Sequence, residues 1–106
     1  MEHRVKSHLC RVYGLGLDDV GELFEIGRDT VLDSLGRLER AIIGHDLAEA
    51  REVGHMLKGT LYNMGLDDIA ELARELEAKA KNGVVMDTEV LFKSIQHKLG
   101  ELARPR

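Results

Sequence analysis

Residues 47–64 read LAEAREVGHMLKGTLYNM, and the spacing of their small and apolar members decides the fold. Leu47, Ala50, Gly54, Leu57, Leu61 and Met64 recur at intervals of three, four, three, four and three. At about 100° per residue these positions share one arc of roughly 100°, as in a helix with a single buried face. By the same arithmetic His55 points about 130° away from the centre of that arc. His55 is therefore expected on the solvent side, with Lys58 one turn on and Gly59 beside it.

An exposed histidine on a helix is, taken alone, an ordinary solvated residue. Its neighbours change the reading. An imidazole with a pKa near 6.5 is largely neutral at about pH 7, and its free ring nitrogen is a nucleophile able to accept a phosphoryl group. An ammonium one turn away would stabilise the charge of that group. Gly59 costs the helix about 1 kcal/mol against alanine, so something should compensate. A bare backbone patch beside a reactive histidine lets another molecule come close.

Outward from this segment the same periodicity continues. A first helix is expected over roughly 2–13, ending at Gly14-Leu15-Gly16. A second runs from near Asp18 to about Ile43, with Phe24, Val31, Leu35, Leu38 and Ile42 inward, and ends at Gly44-His45. Glycines 21, 27 and 36 within it read as close helix packing or a bend. Asp46 is placed to cap the third helix, which runs to Met64 and stops at Gly65. The fourth covers about Asp67 to Lys81, before Asn82-Gly83, with Ile69, Ala73 and Leu76 inward. Asp87 is the expected cap of a fifth, reaching about Ala103 before Pro105, with Leu91, Ile95 and Leu102 inward. The short connections imply antiparallel neighbours. The fold expected is all-α: an antiparallel up-and-down four-helix bundle with an additional short N-terminal helix packed outside it.

Composition narrows the function. The 106 residues make one domain, 1–106, with the motif-bearing bundle at about 18–104. Hydrophobic residues make up 43% and charged residues 32%, as in ordinary globular proteins. A formal charge of −4 argues against a nucleic-acid or membrane-surface binder. No apolar run has the length of a membrane span, and the N-terminus lacks the apolar core of a signal peptide. The single cysteine, Cys10, excludes an internal disulfide, so a reduced cytoplasmic setting is expected. Neither phosphate-binding glycine-loop pattern of nucleotide enzymes occurs. The start methionine suits a chain that stands alone, and a fragment of a larger protein would read the same.

The run His55-Met56-Leu57-Lys58-Gly59-Thr60-Leu61-Tyr62-Asn63-Met64-Gly65, continued by Leu76-Glu77, resembles the signature of the histidine-containing phosphotransfer (HPt) family of two-component phosphorelays. The likeness extends over roughly Asp18 to Leu102. It implies that His55 accepts a phosphoryl group and relays it to or from receiver-domain aspartates, the partners being response-regulator receivers and a sensor or hybrid histidine kinase. It implies that Lys58 neutralises phosphoryl charge, that Gly59 gives the partner access, and that Glu77 orients the histidine through its other ring nitrogen. Arg74, one turn before Glu77, is either a second phosphate-side cation or an ordinary i,i+3 partner of Glu77; the latter is favoured. Tyr62 departs from the family pattern, which has small residues there. It falls on the His55 face two turns on, where it either forms part of the docking surface and narrows the range of partners or leans over the helix edge and covers apolar stem atoms.

No cofactor, metal, nucleic acid or membrane is expected, and the chain reads as a phosphocarrier rather than an enzyme, being altered at each transfer. Two alternatives stand beside this. A metal-binding helical bundle could use the E-x-x-H spacing Glu52-Val53-Gly54-His55, but no other histidine has a glutamate three residues earlier. A catalytically silent interaction module with the same fold would have dispensed with His55, Lys58, Gly59 and Glu77, all of which are present.

Overall fold

The computed structural model describes residues 1–103 and is helical, with no strand among them. The helices are α1 (Glu2–Tyr13), α2 (Leu17–Ile43), α3 (Leu47–Asn63), α4 (Asp67–Lys81), α5 (Val85–Lys98) and α6 (Gly100–Ala103). Helices α2 to α5 form a closed circuit: α2 packs on α3, α3 on α4, α4 on α5, and α5 returns to α2. This is the expected antiparallel four-helix bundle, with α1 laid against α2.

Three of the four connections between the helices α1 to α5 repeat one turn. At the end of α2, His45 N–H bonds to Ile42 O and Asp46 N–H to Ala41 O. Gly65 and Leu66 make the same pair of bonds to Tyr62 and Leu61, and Gly83 and Val84 make it to Ala80 and Lys79. This is the Schellman arrangement, which satisfies the last carbonyls of a helix and requires a left-handed residue. Gly65 and Gly83 supply that conformation with φ of 77° and 74°. At the first turn His45 adopts it instead, at φ 54°, and Gly44 does not. Each turn hands its final residue to the next helix as N-cap, so the chain reverses in three residues.

That economy explains where expectation and structure part. Asp46 does cap α3, its side chain accepting from Glu49 N–H at 3.1 Å. Asp87 does not cap α5. The turn at Gly83 makes Val84 the cap, and Asp87 sits within the first turn, paired with Lys79 at 3.3 Å. The fifth helix also does not run unbroken to Ala103. It stops at Lys98, and α6 restarts it so that Leu99 and Leu102 both reach the core. Arg28 of α2 donates to Leu102 O at 2.7 Å and holds that restart in place. The terminator assigned to Pro105 lies outside the described residues.

All the expected core residues are buried or packed against the core; Leu35, Ile42, Leu47 and Leu91 are only partly covered. The core is larger than expected. Val5 and Leu9 of α1 are buried, so α1 is part of the core and not only a cover. Val20, Ala41, Val53, Leu66, Ala70, Ala80, Phe92 and Leu99 join it too. Arg4 fastens α1 to the α3–α4 turn, pairing with Asp68 at 2.6 Å and donating to Gly65 O at 3.3 Å. Of the three glycines in α2, Gly27 faces Met64, whose sulfur would lie 3.1 Å from an added Cβ, which is close packing. The space at Gly21 is open.

Candidate functional site

The site begins with how near α4 comes to α3. A Cβ on Gly54 would meet Leu76 Cδ2 at 3.0 Å and the backbone nitrogen of Glu77 at 3.5 Å. The missing side chain lets the two helices approach at this level. The residue after Gly54 is His55, and the residue after Leu76 is Glu77. Close packing on the inner face thus brings two polar side chains together on the rim.

Glu77 collects two partners there. Its carboxylate oxygens lie 3.2 and 3.3 Å from His55 Nδ1, and Oε2 accepts from Lys58 Nζ at 3.0 Å. The His55 side chain is 66% exposed, whereas Glu77 and Lys58 are 23% and 24% exposed. The ring is therefore presented while its two charged neighbours are mostly covered. Burial raises the Glu77 carboxyl's affinity for protons. The hydrogen bonds from Lys58 and His55, with the attraction of the nearby charge, outweigh it, and the carboxyl titrates below the ordinary glutamate range. An ionised carboxylate only accepts hydrogen bonds, so the neutral imidazole carries its proton on Nδ1 and its lone pair on Nε2.

The remaining sequence-derived residues fall as follows. Gly59 faces open space, with nothing within 4 Å of an added Cβ. Tyr62 is partly exposed, at 37%. Lys58 pairs with Glu77 at 3.0 Å. Arg74 is not the partner of Glu77. It pairs with Glu71, three residues before it, at 3.5 Å and stays exposed. The expected i,i+3 pair with Glu77 does not form, because Glu77 is turned toward α3. On the other flank Arg37 reaches from α2 to Glu49 at 3.2 Å and to Met56 Sδ at 3.9 Å. No periodicity signals that contact, since it depends on how α2 lies against α3. The spacer role of Gly54 was also missed; its place on the buried arc was the available clue.

A family model of the Hpt domain matches residues 22–104. The chain belongs to the Hpt domain family. Hpt domains perform histidine phosphotransfer in two-component systems, as phosphocarrier modules that work with two-component kinases and receiver domains. The match begins within α2, takes in α3 to α6 and all the residues of the Glu77 cluster, and leaves α1 outside. Comparison with curated proteins and comparison with solved structures each returned no match. Among the described residues of this Hpt domain, no helix is long and apolar enough to cross a membrane, and no three or more His, Cys, Asp or Glu side chains are grouped to hold a metal ion.

Proposed function

We propose that this chain is a phosphocarrier whose phosphoacceptor is His55 Nε2, exchanging the group with receiver-domain aspartates and serving as one domain over residues 1–106. The observation that carries the reading is the pairing of His55 Nδ1 with Glu77 on an otherwise exposed ring. It holds the proton on one nitrogen and leaves the other as nucleophile. The phosphodonor is an acyl phosphate on a receiver aspartate. Its P–O bond breaks with the electron pair going to the carboxylate, and the Nε2 lone pair forms the P–N bond. The proton stays on Nδ1 against Glu77, so the reverse transfer needs no external base. Lys58 supplies positive charge as the planar phosphoryl group crosses between partners. Gly59 leaves the partner's phosphorylated loop room to approach, and Tyr62 and Arg74 border the contact. The kinase partner supplies the nucleotide chemistry; neither phosphate-binding glycine-loop pattern occurs in this chain.

The test supplies a receiver domain phosphorylated on its aspartate and follows acid-labile label on this chain. Wild type takes the label, and His55→Gln takes none while its circular dichroism is unchanged. Label retained by the variant would put the acceptor elsewhere. Lys58→Ala slows uptake by roughly ten-fold without abolishing it, the order expected for losing one charge at a partly solvated transition state. A rate equal to wild type would show that the charge is not used.

A further inference from the structure

The ammonium of Lys58 is engaged at rest by Glu77, the same carboxylate that meets His55 Nδ1. Glu77 Oε2 is 3.0 Å from Lys58 Nζ and 3.3 Å from His55 Nδ1, so one carboxylate oxygen serves both groups. A stored phosphoryl group sits on the other ring nitrogen, Nε2. We propose that Glu77 withholds Lys58 from the phosphohistidine at rest and releases it only during transfer, so that its charge lowers the barrier without stabilising the stored group. This rests on the reading of His55 as phosphoacceptor.

The geometry and simple electrostatics carry it. For Lys58 to turn toward Nε2 it must leave a carboxylate that is mostly covered, and a covered carboxylate stripped of its cation is costly. In the free protein the phosphoryl oxygens are bathed in water, which competes well for them. Nothing then repays the breaking of the Lys58–Glu77 pair. When a receiver docks over Gly59 water is excluded, and charges attract more strongly across the drier gap. The phosphoryl group in flight spreads its charge over three outward oxygens. Only there does Lys58 gain by moving. An interaction made in the transition state and absent from the ground state accelerates transfer in both directions, whereas one made equally in both does not. The phosphohistidine thereby stays a ready donor.

A double-mutant cycle on the full chain tests this, with phosphoramidate as the donor and the half-life of the phosphohistidine in buffer as readout. Glu77→Gln keeps an oxygen that accepts from Nδ1 but carries no charge to hold Lys58. The expected result is a phosphohistidine that lives about three-fold longer in Glu77→Gln than in wild type, the factor for one partly screened charge contact. Lys58→Ala should shorten the half-life by about three-fold in the Glu77→Gln background and by much less in the wild-type background. Equal shortening in the two backgrounds overturns the inference, because Lys58 would then already contact the stored phosphoryl group. Absence of phosphohistidine at position 55 in labelled wild type, read by mass spectrometry, overturns the phosphoacceptor reading and the inference together.

Discussion

The two faces of α3 each carry a glycine, and they are there for different reasons. Gly54 points at α4, and an added Cβ would press on Leu76. Gly59, five residues on, points into open space. Each costs the helix about 1 kcal/mol relative to alanine. At Gly54 the cost is offset inside the molecule, because close approach of α3 and α4 seats Leu57, Leu61, Ala73 and Leu76 in one core and brings Glu77 to His55 and Lys58. At Gly59 nothing inside the molecule offsets it. Under the proposed function its reason is external, the receiver that comes against the exposed ring of His55.

Substitution at Gly54 should have the larger effect. Gly54→Val drives two methyl groups into Leu76 and the α4 backbone, and overpacking of this kind destabilises by about 2 kcal/mol. Urea titration should show the loss, and the His55 ring resonances should shift as Glu77 is pushed away. Stability and ring signals equal to wild type would mean that the spacing of α3 and α4 does not depend on this glycine. At Gly59 the signs should separate. Gly59→Leu should stabilise the domain by up to about 1 kcal/mol through helix propensity alone, while phosphoryl uptake from a receiver falls at least about ten-fold. A variant that is more stable and transfers normally would remove the external reason for the glycine.

The smallest effect concerns acid stability. The Glu77 carboxyl titrates below the ordinary glutamate value of 4.5 in the folded protein. The unfolded chain therefore takes up that proton first, so the stability this group contributes is present above pH 4.5 and is lost as pH falls through the depressed folded value. The difference in urea midpoint between wild type and Glu77→Gln should shrink over that acid window. A difference that is flat across it would show that the Lys58 and His55 contacts do not favour the ionised carboxylate.

Some of this was legible in the residues. Periodicity placed the α3 core arc and put His55 outside it, and the turn residues marked each reversal to within a few positions. Val53 lies about 20° beyond the arc of its neighbours on a 100° wheel, so periodicity does not place it in the core. It is buried because α2 and α4 together cover more of α3 than a single stripe. Asp87 looked like a cap by residue type alone. The turn that overruled it is a hydrogen-bond pattern whose carbonyls lie on the preceding helix. Arg74 could have met glutamates three residues away on either side, and local spacing does not rank them.

The sequence by itself determined the helices, the face that carries His55 and the lysine and glycine beside it, because a helix converts spacing into direction at about 100° per residue. The family likeness already joined Glu77 to His55, 22 residues away; only packing shows that the same carboxylate also takes Lys58, 19 residues away. That meeting depends on how near two helices come at Gly54, a distance set by packing across the whole bundle.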